Sequence, residues 1–140
     1  MMEIPAQHQR VSNNPIISVK TPKASSHFKL LNPRRLTVTE LQPEQFFPIG
    51  EANCDFVFQV PEAPAEVYVE LKGSNFPHAL DQLANTLRLL RSPLQPKHCY
   101  VVIRRSPTMD AQTQRQLLNF SRKHRCTMHP PKTQHFEHKV

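Results

Sequence analysis

Residues 66–77 read Glu66-Val67-Tyr68-Val69-Glu70-Leu71-Lys72-Gly73-Ser74-Asn75-Phe76-Pro77. The run 66–71 is rich in valine and tyrosine, side chains that suit a pleated strand. Asn75 then offers a side-chain oxygen to cap a first helical turn, and Pro77 lies in that turn, where a missing N–H leaves no helical bond unmade. Behind it, Phe76, Leu80, Leu83, Leu87 and Leu90 recur at i, i+4, i+7, i+11 and i+14, the spacing of one buried stripe. Pro93 closes the helix. Residues 97–104, centred on Tyr100-Val101-Val102-Ile103, form the next predicted strand. A strand–helix–strand unit of this kind needs a right-handed crossover, which sets its two strands parallel. The class is therefore α/β.

Upstream, residues 54–60 alternate Asp55, Val57 and Gln59 against Phe56, Phe58 and Val60, a strand pattern, and residues 61–65 turn the chain into the strand already quoted. Residues 34–41 alternate Leu36, Val38 and Glu40 against Thr37, Thr39 and Leu41, and Pro43 with the 48–50 segment breaks the chain after them. Downstream, a helix is expected over 110–124, carrying Leu117, Leu118 and Phe120, and a short extra strand over 126–129. The order β-β-β-α-β-α predicts a small mixed sheet flanked by helices. Residues 1–27 lack a sustained period and read as a flexible or extended arm, residues 28–129 as the domain, and residues 130–140 as a basic, His-rich tail.

A chain of 140 residues with 38% hydrophobic residues suffices for one modest core. No apolar run approaches the ~18 residues of a membrane span, and no apolar leader follows Glu3, so a cytoplasmic protein without membrane partners is expected. Two glycines exclude the glycine-rich phosphate loops of common nucleotide-binding folds. Cys54, Cys99 and Cys126 are odd in number and far apart, which argues against a disulfide framework. His124, Cys126, His129, His135 and His138 cluster in sequence, but in no spacing of a known zinc finger or ribbon.

The net charge of +7 is unevenly laid out: +5 over residues 1–39, −6 over 40–90 and +8 over 91–140. Basic flanks around an acidic centre suit a polyanion held by the flanks and a cation held in the middle. In that acidic centre, Glu70 and Lys72 stand at i and i+2 of one strand and so share a face. A hairpin between the strands at 54–60 and 66–71 would bring Asp55 beside Glu70. Two close carboxylates repel unless a divalent ion neutralises them, and oxygen ligands favour Mg²⁺ or Mn²⁺ over zinc. Lys72 would then be placed to hold the attacking water and to offset developing negative charge.

Asp55, the Glu70-Leu71-Lys72 triplet on the following strand, and an amphipathic helix bearing Gln82 together resemble the PD-(D/E)XK phosphodiesterase superfamily of nucleases. Residues 36–104 match its α-β-β-β-α-β core, the restriction-endonuclease-like arrangement, except for the first helix. The resemblance implies that Asp55, Glu70 and the Leu71 carbonyl ligate the metal, that Lys72 positions the water, and that Gln82 supports the site. Cys54 stands where the family has proline before the aspartate, and Thr86 where some branches have tyrosine four residues after the glutamine. Glu40, Glu44 and Glu51 are alternatives for the acid usually carried by the missing helix.

The expected activity is that of a metal-dependent nuclease hydrolysing phosphodiesters with a metal-activated water, with DNA ahead of RNA as substrate. Arg88, Arg91, Lys97, Arg104, Arg105, Arg122, Lys123 and Arg125 are expected phosphate contacts. The alternative is a catalytically silent module of this fold that binds nucleic acid or a protein partner. A homodimer, or a place in a larger nucleoprotein complex, fits the small size.

Overall fold

The computed structural model describes residues 1–22, 26–72, 75–105 and 108–140, and of Lys72 the backbone alone. Its centre is the expected crossover. Strands β6 (Ala65–Lys72) and β7 (Lys97–Ile103) run parallel, with Glu66 opposite Lys97 and Lys72 opposite Ile103. Helix α1 (Phe76–Leu90) joins them. Its first turn is capped by Asn75, whose Oδ1 accepts from the His78 N–H at 3.1 Å. Phe76, Leu83, Leu87 and Leu90 are buried together with Ala79 and Thr86, while Leu80 packs at the margin.

Strand β5 (Phe56–Val60) pairs antiparallel with β6, and β4 (Val38–Leu41) antiparallel with β5. Beyond β7, helix α2 (Ala111–His124) begins at Asp110, whose carboxylate caps the Thr113 N–H at 2.8 Å. Two short strands, β8 (Thr127–Met128) and β9 (Lys132–Thr133), then pair parallel with the two ends of β7. The molecule is mixed α/β with two helices.

Two expectations are corrected by the termini. Residues 1–27 are not simply an arm: β1 (Gln9–Ser12) adds to the main sheet beside β4, and β2 (Ile16–Lys20) pairs with β3 (His27–Leu31). Nor is the C-terminus a tail, because β10 (His135–Lys139) lies parallel to β3 on its other side. The main sheet thus runs β1-β4-β5-β6-β7-β8, and a separate three-stranded sheet runs β10-β3-β2.

Helices consequently flank one face of the main sheet only. Leu41, Val57, Tyr68, Val101 and Ile103 pack under α1 and α2. The opposite face (Val38, Phe58, Val67, Val69 and Val102) is covered by Ile17, Val19, Phe28 and Leu30 of the second sheet. Phe28 and Leu30 are fully buried, and each such burial contributes ~1.5–3 kcal/mol. That apolar contact holds the terminal strands in place, since isolated hairpins are marginal in water.

Asn32, fully buried after β3, ties this layer down. Its side chain donates to the carbonyls of Asn14 and Leu36 and accepts from the Leu36 N–H. Cys54 and Cys99 are buried, Cys126 is half-buried, and all three are free thiols. Among the described residues no helix is long and apolar enough to cross a membrane.

Candidate active site

Asp55 precedes β5 by one residue. Extending the Phe56–Val69 register by one step sets it opposite Glu70, as the hairpin reading requires. The two acids are clasped reciprocally. The Asp55 N–H donates to Glu70 Oε1 at 3.1 Å, and Asp55 Oδ2 accepts from the Leu71 N–H at 2.8 Å. Each carboxylate is thus oriented by the backbone of the other's strand. Glu70 is 2% exposed, and Asp55 is half-buried at the mouth of the site.

Helix α1 holds the approach to Asp55 with three polar side chains. Gln82 Nε2 donates to the Asn53 carbonyl at 3.1 Å, Asn85 Nδ2 to the Ala52 carbonyl at 2.7 Å, and Thr86 Oγ1 accepts from the Cys54 N–H at 2.8 Å. The Thr86 hydroxyl in turn donates to the Gln82 carbonyl, 2.8 Å away. Residues 52–54 lie outside regular structure, so these bonds replace a sheet ladder in fixing the backbone that presents Asp55. Gln82 therefore supports the site through Asn53. Its Oε1 is buried with no hydrogen-bond partner among the described residues.

Two clefts meet at Asp55. One of about 640 Å³ is lined by Arg10, Lys20, Glu40, Glu44, Asn53 and Asp55, among others. A second, of about 490 Å³, shares Glu44, Asn53 and Asp55 and adds Glu51, His78 and Gln82. The three acids left open by the sequence separate here. Glu51 accepts from Asn85 at 2.9 Å and lies 4.0 Å from Arg88. Glu40 is buried, and burial raises its carboxyl above the usual range against the opposing pull of Arg10. Glu44 is exposed and lines both clefts beside Asp55.

The donor set suits a hard divalent ion. Among the described residues no three His, Cys, Asp or Glu side chains are grouped to hold a metal, so the protein donors would be Asp55, Glu70 and the Leu71 carbonyl. Within a strand the N–H and C=O of one residue face the same side. Because the Leu71 N–H reaches Asp55, its carbonyl faces that way as well, past the end of β5. One or two carboxylates with several waters is a usual Mg²⁺ environment. Lys72 continues β6 opposite Ile103, and its side chain lies outside the described residues, as does Gly73.

The expected phosphate contacts are dispersed. Arg104 and Arg105 are exposed just beyond β7, at the sheet end that carries Asp55 and Glu70. Arg91 is at the far end of α1, and Arg122, Lys123 and Arg125 are at the far end of α2, where Arg125 borders β8. Arg88 is turned toward Asn85 and Glu51.

Lys97 is a correction, being 7% exposed and so removed from any phosphate. Its Nζ pairs with fully buried Glu66 at 3.1 Å and donates to the Ser92 carbonyl at 2.7 Å. Glu66 also accepts from Gln59 at 2.7 Å and from the Tyr68 hydroxyl, whose proton burial and Glu66 hold far above its ordinary range. Nothing in the local sequence distinguishes this internal pair from a surface one.

The histidines are likewise spread. His124 packs on Phe120, and His135 on His27. His129 stacks on Tyr100 at 4.2 Å and hydrogen-bonds His98 at 3.0 Å, while His138 bonds the Tyr100 hydroxyl. Compared with protein-family models, curated proteins and solved structures, the chain matches none.

Proposed function

We propose that this chain is a metal-dependent nuclease, a divergent member of the PD-(D/E)XK superfamily with the restriction-endonuclease-like core in β4, β5, β6, α1 and β7. The observation that carries the reading is the reciprocal clasp of Asp55 and Glu70 on adjoining strands, with Lys72 two residues along β6. Bound at Asp55, Glu70 and the Leu71 carbonyl, Mg²⁺ or Mn²⁺ would neutralise the paired acids and act as a Lewis acid on a phosphoryl oxygen. Lys72 would orient a water for in-line attack and offset the charge that develops on phosphorus. Gln82 and Thr86, through residues 53 and 54, keep Asp55 aligned. The buried Oε1 of Gln82 supplies an acceptor for a donor entering the second cleft.

A silent binding module is the second reading, supported by a set of only two carboxylates. The test is cleavage of end-labelled single-stranded, duplex and branched DNA, and of RNA, with Mg²⁺, Mn²⁺ or EDTA. Wild type and Lys72→Ala are compared, each with a parallel binding assay. Metal-dependent cutting that the variant loses while it still binds supports the nuclease. Binding with no cutting by wild type supports the silent module.

A further inference from the structure

The larger cleft at Asp55 is walled by elements that carry no part of the carboxylate pair. Arg10 enters from β1 on the main sheet, and Lys20 from the end of β2 on the second sheet. Both are exposed. Each strand is hydrogen-bonded into its own sheet, so the two cations are held on opposite walls of one channel that ends at Asp55. Glu40 pairs with Arg10 across the β1–β4 ladder, yet a guanidinium has five N–H donors and retains capacity for a phosphate.

We infer that this cleft is a groove for a single nucleic-acid strand, with Arg10 and Lys20 as its backbone-phosphate contacts. The inference rests on the nuclease reading and deepens it by naming the substrate form. Size argues for one strand. A volume of about 640 Å³ lies in the ~300–1,000 Å³ range of pockets for small organic ligands, so it admits a nucleotide or two and excludes the width of a duplex. Charge argues for selective placement. Glu40 and Glu44 repel phosphate along the rest of the wall, leaving the two cations as the favourable positions. Reach argues against the denser basic patch of α2. Lys97, at that end of β7, is four ladder steps from Val101, the residue opposite Glu70, or about 13 Å along the strand.

The experiment measures binding of a 5′-labelled single-stranded oligonucleotide in EDTA over a range of salt, then cleavage in Mg²⁺. Wild type is compared with Arg10→Gln/Lys20→Gln and with Arg122→Gln/Lys123→Gln/Arg125→Gln, each checked for native circular dichroism. The first variant is expected to bind about tenfold more weakly, with a salt slope reduced by about 1.4, since each single-strand phosphate contact contributes ~0.7. The triple variant is expected to behave as wild type, and blunt duplex to bind more weakly than the single strand. Wild-type binding by the Arg10/Lys20 variant, or equal affinity for blunt duplex, overturns the inference while the nuclease reading stands. A wild-type protein that neither binds nor cuts overturns both.

Discussion

Asp55 and Glu70 are each oriented by an amide of the opposite strand, Glu70 by the N–H of Asp55 and Asp55 by the N–H of Leu71. The pair is thus assembled by the hairpin itself. Any change that slips β5 against β6 by one residue would turn one acid to the opposite face.

Asp55→Asn keeps an oxygen for the Leu71 N–H but removes the charge. We expect native circular dichroism with metal-dependent cleavage reduced about a hundredfold or more, the scale on which charge-stabilising groups act. Addition of EDTA to wild type should have the same effect. Initial rates of cleavage check this, and an Asp55→Asn enzyme of wild-type rate would remove Asp55 from the site.

Thr86 is a positioning residue, acting through Cys54. Thr86→Val leaves the buried Cys54 N–H without its acceptor and should destabilise by about 1–3 kcal/mol. Thr86→Ser keeps the hydroxyl and should restore most of that. If the bond aligns Asp55, the valine variant also loses kcat more than it raises KM, and serine rescues it. Urea unfolding and steady-state kinetics separate the two effects.

The internal Glu66–Lys97 pair predicts an asymmetry between single and double substitution. Lys97→Met strands a buried carboxylate and should cost about 3–5 kcal/mol, whereas the double variant Glu66→Gln/Lys97→Met should recover much of the loss. Denaturant titration of the three proteins measures it. Equal stability of wild type and Lys97→Met would mean that the pair is solvated.

The ring cluster on β7 and β10 predicts acid sensitivity. Burial, reinforced by neighbouring histidines, holds His129 and His138 down to about 4, and burial lowers His98 too. The folded state therefore favours the neutral rings, and the unfolded chain binds more protons between their ordinary pKa of about 6.5 and 4. Their contribution is complete above that ordinary value and declines as pH falls through the window. Urea midpoints at pH 7.5, 5.5 and 4 should fall in that order. His129→Phe, which preserves an aromatic face for Tyr100, should flatten the decline.

Much of the core was legible because its signals are local. The Asn75 cap, the apolar stripe of α1, and the alternation through 54–60 and 66–71 each follow from neighbours within one or two turns of chain. The Asp55–Glu70 juxtaposition followed as well, since a short hairpin leaves few registers. The terminal strands were illegible for the opposite reason. Ile17/Val19 and Phe28/Leu30 do alternate, but in a polar setting, and the parallel partner of β3 lies about a hundred residues away in β10.

By itself, then, the sequence determined which segments are helix and strand in the β5–β7 region and that Asp55 and Glu70 meet, because backbone preference and side-chain period act at short range. Only the tertiary structure decided that Lys97 turns inward to Glu66, that the α2 basic residues lie at the far end of the sheet, and that Arg10 and Lys20 border Asp55. Those are long-range outcomes. Burial pairs a charge with whatever the packed sheet brings beside it, and the second sheet docks because it covers an apolar face that no local pattern could assign to it.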